Sequence, residues 1–351
     1  MRWFIPDSVG AWTMHPLLDG SQVYFNRVRP ISATGAVLGP AELRALDTAT
    51  GALVWKGTIV SAQNAAVAGN VVGAVWGSLP IFERATGMPS HLFSYAPTSL
   101  SSNVVSDGVR FYVGSHDGNV LAVDPTSGAV VWNQRVAGGP STVAHYLAVS
   151  DGHLAVTLKH FRTAGAASDS SIVAVLDRET GVLRWRTAFA AAPGSDGVQA
   201  PVITNGKVIF ATHRHAVHAF DLATGAQRWH HNVMFSTLPY GSNGLDVCDG
   251  MVIMATGDLG LIALDETSGA TRWRLPDLQD GSLARLECSY GTVLVRGSSL
   301  RVFDARTGAL RARYPVRELG GAREFYITSA TRDQESLYIG STYGYARVIA
   351  P

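Results

Sequence analysis

The sequence predicts an all-β fold, an eight-bladed β-propeller of four-stranded antiparallel sheets. The first observation is a nine-residue phrase, Asp-x-x-Thr-Gly-x-x-x-Trp, that recurs along the chain. The second is its period, because successive glycines are separated by 36, 41, 53, 44, 44 and 39 residues, the length of one propeller blade. The third is a pair of apolar strands around an Asp-Gly-type turn before each copy. Units of this kind cannot bury both faces alone, and closing them into a ring buries the faces and protects the edges.

The recurring phrase predicts a strand, a tight turn and a second strand. An Asp or Ser/Thr side chain can hydrogen-bond nearby backbone N–H groups, and the glycine supplies a positive φ. The tryptophan is expected to pack as a wedge against the neighbouring unit. We label the four strands of a unit A to D, with the phrase joining C to D. Complete copies span 47–55, 124–132, 177–185, 221–229 and 265–273, and degenerate copies span 83–91 and 304–312.

The two ends of the sequence are predicted to share the eighth blade. Segments 325–328, 336–340 and 345–349 have the pattern of strands A, B and C, and no further phrase follows them. Arg2-Trp3-Phe4 resembles the Arg-Trp of the repeat with nothing upstream. We therefore expect residues 1–6 to complete the last blade with 323–351, which makes 1–351 a single propeller domain. The alternative is a seven-bladed ring with a loose tail.

Composition excludes several classes of function. The net charge is +1 and no basic run occurs, so a nucleic-acid partner has no electrostatic support. The apolar segment 65–82 is interrupted by glycine and proline, and we interpret it as strands rather than a membrane span. The N-terminus lacks an apolar run of signal length. We expect a cytoplasmic monomer, exported only if a leader has been removed.

The two cysteines, Cys248 and Cys288, occupy matching positions in successive units. Matching strands of adjacent blades are expected to diverge radially, whereas a disulfide needs Cα atoms within about 7 Å. We therefore expect two buried, reduced thiols, which also suits a cytoplasmic setting.

The repeat, with strands such as Tyr112-Val-Gly-Ser-His-Asp-Gly118, resembles that of the pyrroloquinoline-quinone-type (PQQ-like) β-propellers over nearly the whole chain. That superfamily includes quinoprotein dehydrogenases, an outer-membrane assembly lipoprotein and sensor domains, so the resemblance implies the fold rather than one function. The dehydrogenases carry adjacent cysteines, a calcium set and a catalytic Asp, none of which can be placed here. No cofactor is predicted, and PQQ and calcium lack supporting motifs.

A binding site is expected where the repeats deviate, on the face formed by the B-to-C and D-to-A connections. An insertion at 162–171 suggests a flap beside three loop histidines that could bind an anionic small molecule, although such histidines are commonly just solvated. His213-x-His215 is at most a partial ligand set, so no metal site is predicted. The ligand-binding candidates, including two inner-strand residues, are Trp76, His116, His160, Arg162, His213, Arg214, Asp246, Arg285 and Tyr343.

Strand A of each blade is expected to line the central channel. If the protein is an enzyme, His145 and Glu287 form the best general acid/base pair, because imidazole titrates near neutrality and burial can raise a glutamate toward it. The alternative is a wet channel lined by polar side chains. The other polar candidates on these strands are Asn64, Asn103, Gln199, Asp246, Arg285 and Glu324.

The leading hypothesis is a binding or scaffolding module that presents the B-to-C/D-to-A face to a protein or a small molecule. The alternative is a cofactor-independent enzyme of specialised metabolism at the channel mouth. A PQQ-dependent dehydrogenase is the third and weakest interpretation.

Overall fold

The computed structural model describes most of the chain, and every sheet in it has four antiparallel strands. The described residues are 2–6, 13–27, 39–59, 64–96, 98–137, 142–160, 170–190, 199–212, 216–233, 244–256, 260–276, 278, 286–296, 299–315, 327–341 and 344–351. They contain eight sheets and no helix, so none of them belongs to a helix that could cross a membrane. The predicted eight-bladed propeller is confirmed.

The strands follow the chain in order, four to a blade. Blades 1 to 4 comprise β2 to β17, and the strands of each blade follow the chain in the order A to D. Their bounds are β2 Thr13–Asp19, β3 Gln22–Arg27, β4 Ala41–Asp47, β5 Leu53–Ile59; β6 Ala65–Ala68, β7 Val71–Ala74, β8 Ser78–Glu83, β9 Pro89–Ser94; β10 Val105–Ser106, β11 Phe111–Gly114, β12 Asn119–Val123, β13 Val130–Arg135; β14 Thr142–Ser150, β15 His153–His160, β16 Ser170–Asp177, β17 Leu183–Ala190.

Blades 5 to 8 complete the ring. The bounds are β18 Val202–Thr204, β19 Lys207–Thr212, β20 Ala216–Asp221, β21 Gln227–Asn232; β22 Leu245–Cys248, β23 Met251–Ala255, β24 Leu261–Asp265, β25 Thr271–Leu275; β26 Leu286–Ser289, β27 Thr292–Arg296, β28 Ser299–Asp304, β29 Leu310–Pro315; β30 Ile327–Arg332, β31 Ser336–Ser341, β32 Gly344–Ile349, and β1 Trp3–Pro6.

The ring closes by strand exchange between the two ends of the sequence. Strand β1 pairs antiparallel with β32, with Trp3 opposite Arg347 and Phe4 opposite Ala346. Each inner strand A also contacts the inner strands of both neighbouring blades, including β2 against β30 across the seam. The seven-bladed alternative is therefore wrong.

The core lies between the blades. Because side chains alternate between the two faces of a strand, each sheet contributes one apolar face to each neighbour. The buried clusters follow this rule: one joins blades 3 and 4 through residues such as Tyr112 and Leu154, and another joins blades 8 and 1 through Tyr345 and Val23. These interfaces make the ring a stiff support for its connections.

The recurring phrase locks adjacent blades together, as its tryptophan predicted. Within six of the seven turns, an Asp such as Asp221 accepts hydrogen bonds from the backbone and hydroxyl of a residue such as Thr224. In blade 2, Glu83 accepts from the Thr86 hydroxyl instead. The glycine has a φ near +70°, and the indole of the preceding blade packs on it so tightly that a Cβ on Gly269 would lie 2.6 Å from Trp229. Indole Nε1 atoms donate to a backbone carbonyl of the next blade's turn from Trp3, Trp55, Trp132, Trp185, Trp229 and Trp273.

Candidate functional site

On the B-to-C/D-to-A face, backbone hydrogen bonds join the connections of blades 2, 3 and 4. Leu100, before blade 3, donates to Gly77 O in the B-to-C turn of blade 2 at 3.0 Å. His116 in the next such turn donates to Ser99 O at 3.0 Å, and Ala144, at the start of blade 4, donates to Ser115 O at 3.1 Å. We call this stretch, residues 76–78, 98–102, 115–118 and 142–144, the stitched face. It holds its side chains on a rigid backbone.

Trp76 and His116 lie on the stitched face, as the sequence predicted for their turns. The Trp76 side chain is 49% exposed, although most tryptophans of the chain pack between blades. Gly77, with φ +71°, allows the tight reversal in which Trp76 N donates to Ser78 O. Asp117, beside His116, bonds the buried Ser115 hydroxyl, which holds this turn in shape. An exposed indole on an ordered support is typical of binding surfaces.

Several predicted site residues lie outside the described part of the chain. For His160, only the backbone is described, at the end of β15. The proposed flap is described only from Ser170, where β16 begins, and Ser170 and Ser171 belong to that strand rather than to the insertion. Their roles stay predictions. The candidates outside the described residues are Arg162, His213, Arg214, His215, Arg285, Glu324 and Tyr343.

Polar side chains of the inner strands clasp neighbouring blades together. Asn64 Nδ2 donates to Val104 O at 2.8 Å, and Val104 N donates back to Asn64 Oδ1 at 2.9 Å. Asn103 makes the same pair of bonds to Leu147 of blade 4. Since strand A has no strand on its channel side, these amides satisfy backbone groups that would otherwise face the channel. The sequence predicted that Asn64 and Asn103 are polar residues near the channel, but it did not predict that they hydrogen-bond to the next blade.

The predicted acid/base pair is not brought together. His145 lies in blade 4, at a register shift between Ala144 and Tyr146 in β14, with its ring edge-on to Tyr146. Glu287 lies in β26 of blade 7, and its carboxylate accepts a hydrogen bond from the Thr331 hydroxyl of blade 8 at 2.8 Å. The two residues are three blades apart. Residue type alone selected this pair, whereas the order of the repeats already separates its members, since His145 lies in the fourth unit and Glu287 in the seventh.

Asp246 and Glu287 form a different pair, on the adjacent inner strands β22 and β26. Asp246 Oδ2 accepts a hydrogen bond from Cys288 N at 2.7 Å, next to Glu287. Burial raises the pKa of the Glu287 carboxyl to about 7; the Thr331 hydrogen bond opposes this effect and the Asp246 charge adds to it. Burial also raises the pKa of Asp246. Both side chains keep partial exposure toward the channel, but the protein crowded around the carboxyl groups disfavours charge.

The raised pKa predicts that Glu287 weakens the fold as the pH rises. Between the ordinary carboxyl pKa of 4.5 and about 7, the folded chain holds a proton that the unfolded chain has lost. The stabilising contribution of the protonated Glu287 carboxyl, which is complete below pH 4.5, is therefore lost as the pH rises to about 7. We expect Glu287→Gln, which can still accept from Thr331, to be more stable than the wild type at pH 8 by on the order of 1–3 kcal/mol. Urea unfolding at pH 4.5 and pH 8 checks this, and a pH-independent difference would contradict it.

The expectation of two reduced cysteines is wrong. Cys248 and Cys288 form a disulfide with a Cα–Cα distance of 5.6 Å, and the described residues include no free cysteine. Inner strands lie at the narrow end of wedge-shaped blades, so β22 and β26 approach closely where outer strands would diverge. Because the two cysteines occupy matching positions in these inner strands, their sulfur atoms are aligned. The bond lies beside the clasp from Asp246 to Cys288 N.

The inner strands of blades 1 to 4 also border a basin of about 500 Å³, whose surface is shared about equally by polar and apolar atoms. Its residues lie close to the A-to-B turns, so it opens toward the face opposite the stitched face. Among the described residues, no group of three His, Cys, Asp or Glu side chains is placed to hold a metal ion. The prediction that no cofactor binds stays a prediction. The basin is lined by Leu17, Leu18, Asp19, Ala65, Ala66, Val67, Val104, Val105, Ser106, Leu147, Ala148 and Val149.

A family model with the description "Outer membrane protein assembly factor BamB" matches the chain over residues 39–237 and 168–350. The chain belongs to this family. The PQQ-like resemblance of the repeat is thereby confirmed. A search of curated proteins found no match.

Solved structures similar to this BamB-family chain share its fold at low sequence identity. BamB from Moraxella catarrhalis has a TM-score of 0.69 at 16% identity, covering 98% of this chain and 97% of that one. The computationally designed Ika8 protein has a TM-score of 0.73 at 15% identity, covering 97% of both chains. A europium-containing methanol dehydrogenase has a TM-score of 0.71 at 13% identity, covering 98% and 85%. These similarities show the propeller and no activity.

The expected cytoplasmic setting has no support in these findings. The family model is named for an outer-membrane assembly factor, and disulfides such as Cys248–Cys288 persist mainly in oxidising compartments. The expectation rested on the N-terminus, which lacks an apolar run of signal length, and on two reduced thiols; the disulfide removes the second of these arguments.

Proposed function

We propose that this chain is a protein-binding scaffold of an oxidising compartment, which recognises its partner through the stitched face with Trp76 as the anchor. The observation that carries the proposal is the exposed indole on a backbone held by hydrogen bonds across three blades. Tryptophan is enriched among residues that dominate binding energy, because it offers a large rigid contact area. A pre-formed surface loses little conformational entropy on binding.

The family and the disulfide support the same proposal. The family is described by an assembly factor, which suggests by analogy that this chain too holds another protein rather than transforming a substrate. The disulfide Cys248–Cys288 suggests that the chain binds its partner in an oxidising compartment. We do not extend the proposal to catalysis, since His145 and Glu287 lie three blades apart and the Glu287 carboxylate is engaged by Thr331.

The basin favours a second, smaller role. Its volume of about 500 Å³ lies within the roughly 300–1,000 Å³ of sites for small molecules, and its mixed polar and apolar surface suits a small amphipathic ligand. A thermal-shift screen of small molecules would test this role. A compound at a hundred times its dissociation constant should add about 2.7 kcal/mol of stability, and Ser106→Trp, at a partly exposed position of the lining, should abolish that gain.

The main proposal is tested by replacing the indole. We expect Trp76→Ala to lose at least tenfold of the affinity for a partner, because truncating a central anchor costs about 2 kcal/mol or more. Wild-type protein and the variant are immobilised under oxidising conditions, and proteins captured from an extract of the source organism are quantified by mass spectrometry. A captured partner is then purified and its affinity is measured by calorimetry.

The matched control is Leu310→Ala, which removes a similarly exposed apolar side chain from the outer strand of blade 7. It should capture the same partner as the wild type. If Trp76→Ala captures and binds every partner as the wild type does, the stitched face is not the recognition surface and the proposal fails.

A further inference from the structure

The outer strand D of each blade leaves one edge unpaired in the described sheets, and four blades guard this edge in the same way. In blades 4 to 7, the residue before the tryptophan position is an arginine that pairs with the first Asp of its own turn. Arg184–Asp177 and Arg272–Asp265 are both 2.6 Å apart, and Arg228–Asp221 and Arg311–Asp304 form the equivalent pairs. Charged side chains on an edge strand discourage unwanted strand pairing.

Blades 1, 2 and 3 lack this arginine, and in blade 1 its place is taken by Val54, which is 44% exposed. In blade 3 the arginine is replaced by Val131, which is 45% exposed. Asp124 still forms its turn through Oδ1, which accepts from Ser127. Its Oδ2 accepts no hydrogen bond from any residue that the structure describes, whereas the equivalent oxygen of Asp265 accepts two from Arg272. The hairpin of blade 3 therefore lacks the arginine of its own outer strand. Arg110 acts on the Asp124 carboxylate through its charge, although its Nη1 donates to Glu179.

The outer strand of blade 2 adds the largest exposed apolar side chains of this region. Leu92 on β9 is 67% exposed and Met88, in the turn before it, is 61% exposed. A Cβ on Gly128 would lie 3.3 Å from the His91 ring, so the blade 3 turn packs directly against β9. Because side chains alternate along β9, His91 faces the blade 3 turn and Leu92 faces the other side of the sheet. The free edge of β9 lies between the two sides, and we call this edge, with Met88, Leu92 and Asp124, the blade 2/3 rim.

We propose that the blade 2/3 rim binds an extended segment of a partner protein in which apolar residues alternate with arginine. The segment adds a strand to the free edge of β9, so that its backbone pairs with groups left open by the sheet. Its apolar side chains cover Met88 and Leu92, and an arginine reaches Asp124 Oδ2. The charge complementarity comes from the chain itself, because four other blades satisfy the same oxygen with a guanidinium.

The rim is a second surface, independent of the stitched face. Met88 follows the C-to-D turn of blade 2, and these turns lie on the opposite face of the ring from Trp76. One partner could therefore be held at the rim while another occupies the stitched face. A scaffold with two separate surfaces can bring two proteins together, which a single surface cannot do.

The test uses a fluorescein-labelled twelve-residue peptide of alternating valine and threonine with two arginines. Its matched control has glutamate in place of both arginines. Fluorescence anisotropy with the full chain should show saturable binding of the arginine peptide, with at least tenfold weaker binding of the glutamate peptide. Absence of saturable binding, or equal affinity for both peptides, would overturn the proposal.

Two variants locate the binding on the molecule. Val131→Arg copies the ion pair of blades 4 to 7 onto Asp124 and should weaken peptide binding at least tenfold. It should leave the thermal midpoint unchanged or higher, which shows that the variant is folded. Leu92→Lys should weaken binding to a similar extent, whereas Leu310→Ala and Trp76→Ala should bind the peptide as the wild type does.

Unchanged affinity of Val131→Arg would refute the rim as the site. Sedimentation velocity adds a further outcome, because self-association that Val131→Arg abolishes would assign the rim to a second copy of this chain and overturn the peptide proposal. Since Trp76→Ala is expected to retain peptide binding, failure here and failure of the stitched-face proposal are distinguishable.

Discussion

Replacing Cys248 and Cys288 together by alanine is expected to lower the free energy of unfolding by about 4 kcal/mol. The bond closes a loop with a sequence separation of 40 residues, and cross-linking a loop of this length removes about that much chain entropy from the unfolded state. In the folded state the bond joins the inner strands of blades 6 and 7, so its removal also weakens the interface between these two blades. Urea unfolding followed by circular dichroism measures the effect.

Reduction supplies the matched control for the cysteine variant. A reductant should destabilise the wild type by a comparable amount and should leave the double alanine variant unchanged, because no bond remains to be broken. If oxidised and reduced wild type unfold at the same urea concentration, the disulfide does not contribute to stability. The proposed oxidising compartment would then lose one of its two supports.

Replacing Trp229 by alanine is expected to cost about 3–5 kcal/mol, the usual range for truncating a buried aromatic side chain. The Trp229 side chain is 8% exposed, and its Nε1 donates to Glu266 O in the next blade at 3.0 Å. The ring also packs on the turn glycine Gly269. The substitution therefore opens a cavity between blades 5 and 6 and leaves the Glu266 carbonyl without this donor. Urea unfolding with circular dichroism is again the measurement.

Trp76→Ala is the matched control for Trp229→Ala, since it removes the same side chain from an exposed position. It should change the free energy of unfolding by no more than about 0.5 kcal/mol. A large loss for Trp76→Ala, or a small one for Trp229→Ala, would contradict the assignment of one indole to the blade lock and the other to a binding surface.

A double-mutant cycle tests the lock itself. Gly269→Ala places a methyl group 2.6 Å from the Trp229 ring on a backbone with φ +71°, so it should destabilise the wild type. It should cost less in the Trp229→Ala background, where the ring is gone and only the backbone strain remains. Purely additive losses would show that the indole and the glycine do not interact.

The fold was predictable because its signals are local and repeated. The Asp221 to Thr224 hydrogen bonds close a turn within four residues, and the alternation of apolar residues shows which face each strand buries. Seven copies of one pattern predict the ring more strongly than any single copy. The closing strand at Trp3 was recognised by the same pattern, although it begins the chain rather than following a turn.

The candidate site was only partly predictable. Trp76 and His116 were predicted because they interrupt the repeat in the B-to-C turns, where connections vary without disturbing the sheets; the structure places both in these turns, and their binding role stays a prediction. His145 and Glu287 were paired by chemistry, and the structure places them in blades 4 and 7. Asp246 and Glu287, whose carboxyl groups do interact, were not predicted as a pair, although both residues occupy matching inner-strand positions. Their shared strand position was the feature of the sequence that could have predicted this pair.

The strand pattern, the eight-bladed ring and the tryptophan lock can be predicted from the order of the amino acids, because they depend on short-range hydrogen bonds and on periodic burial. The contacts between blades became visible only in the folded ring: the Cys248–Cys288 bond, the Asp246–Glu287 pair and the blade 2/3 rim. This difference arises from the wedge shape of a blade. Distances between equivalent residues of adjacent blades are small near the channel and large at the rim, and no local pattern encodes that distance.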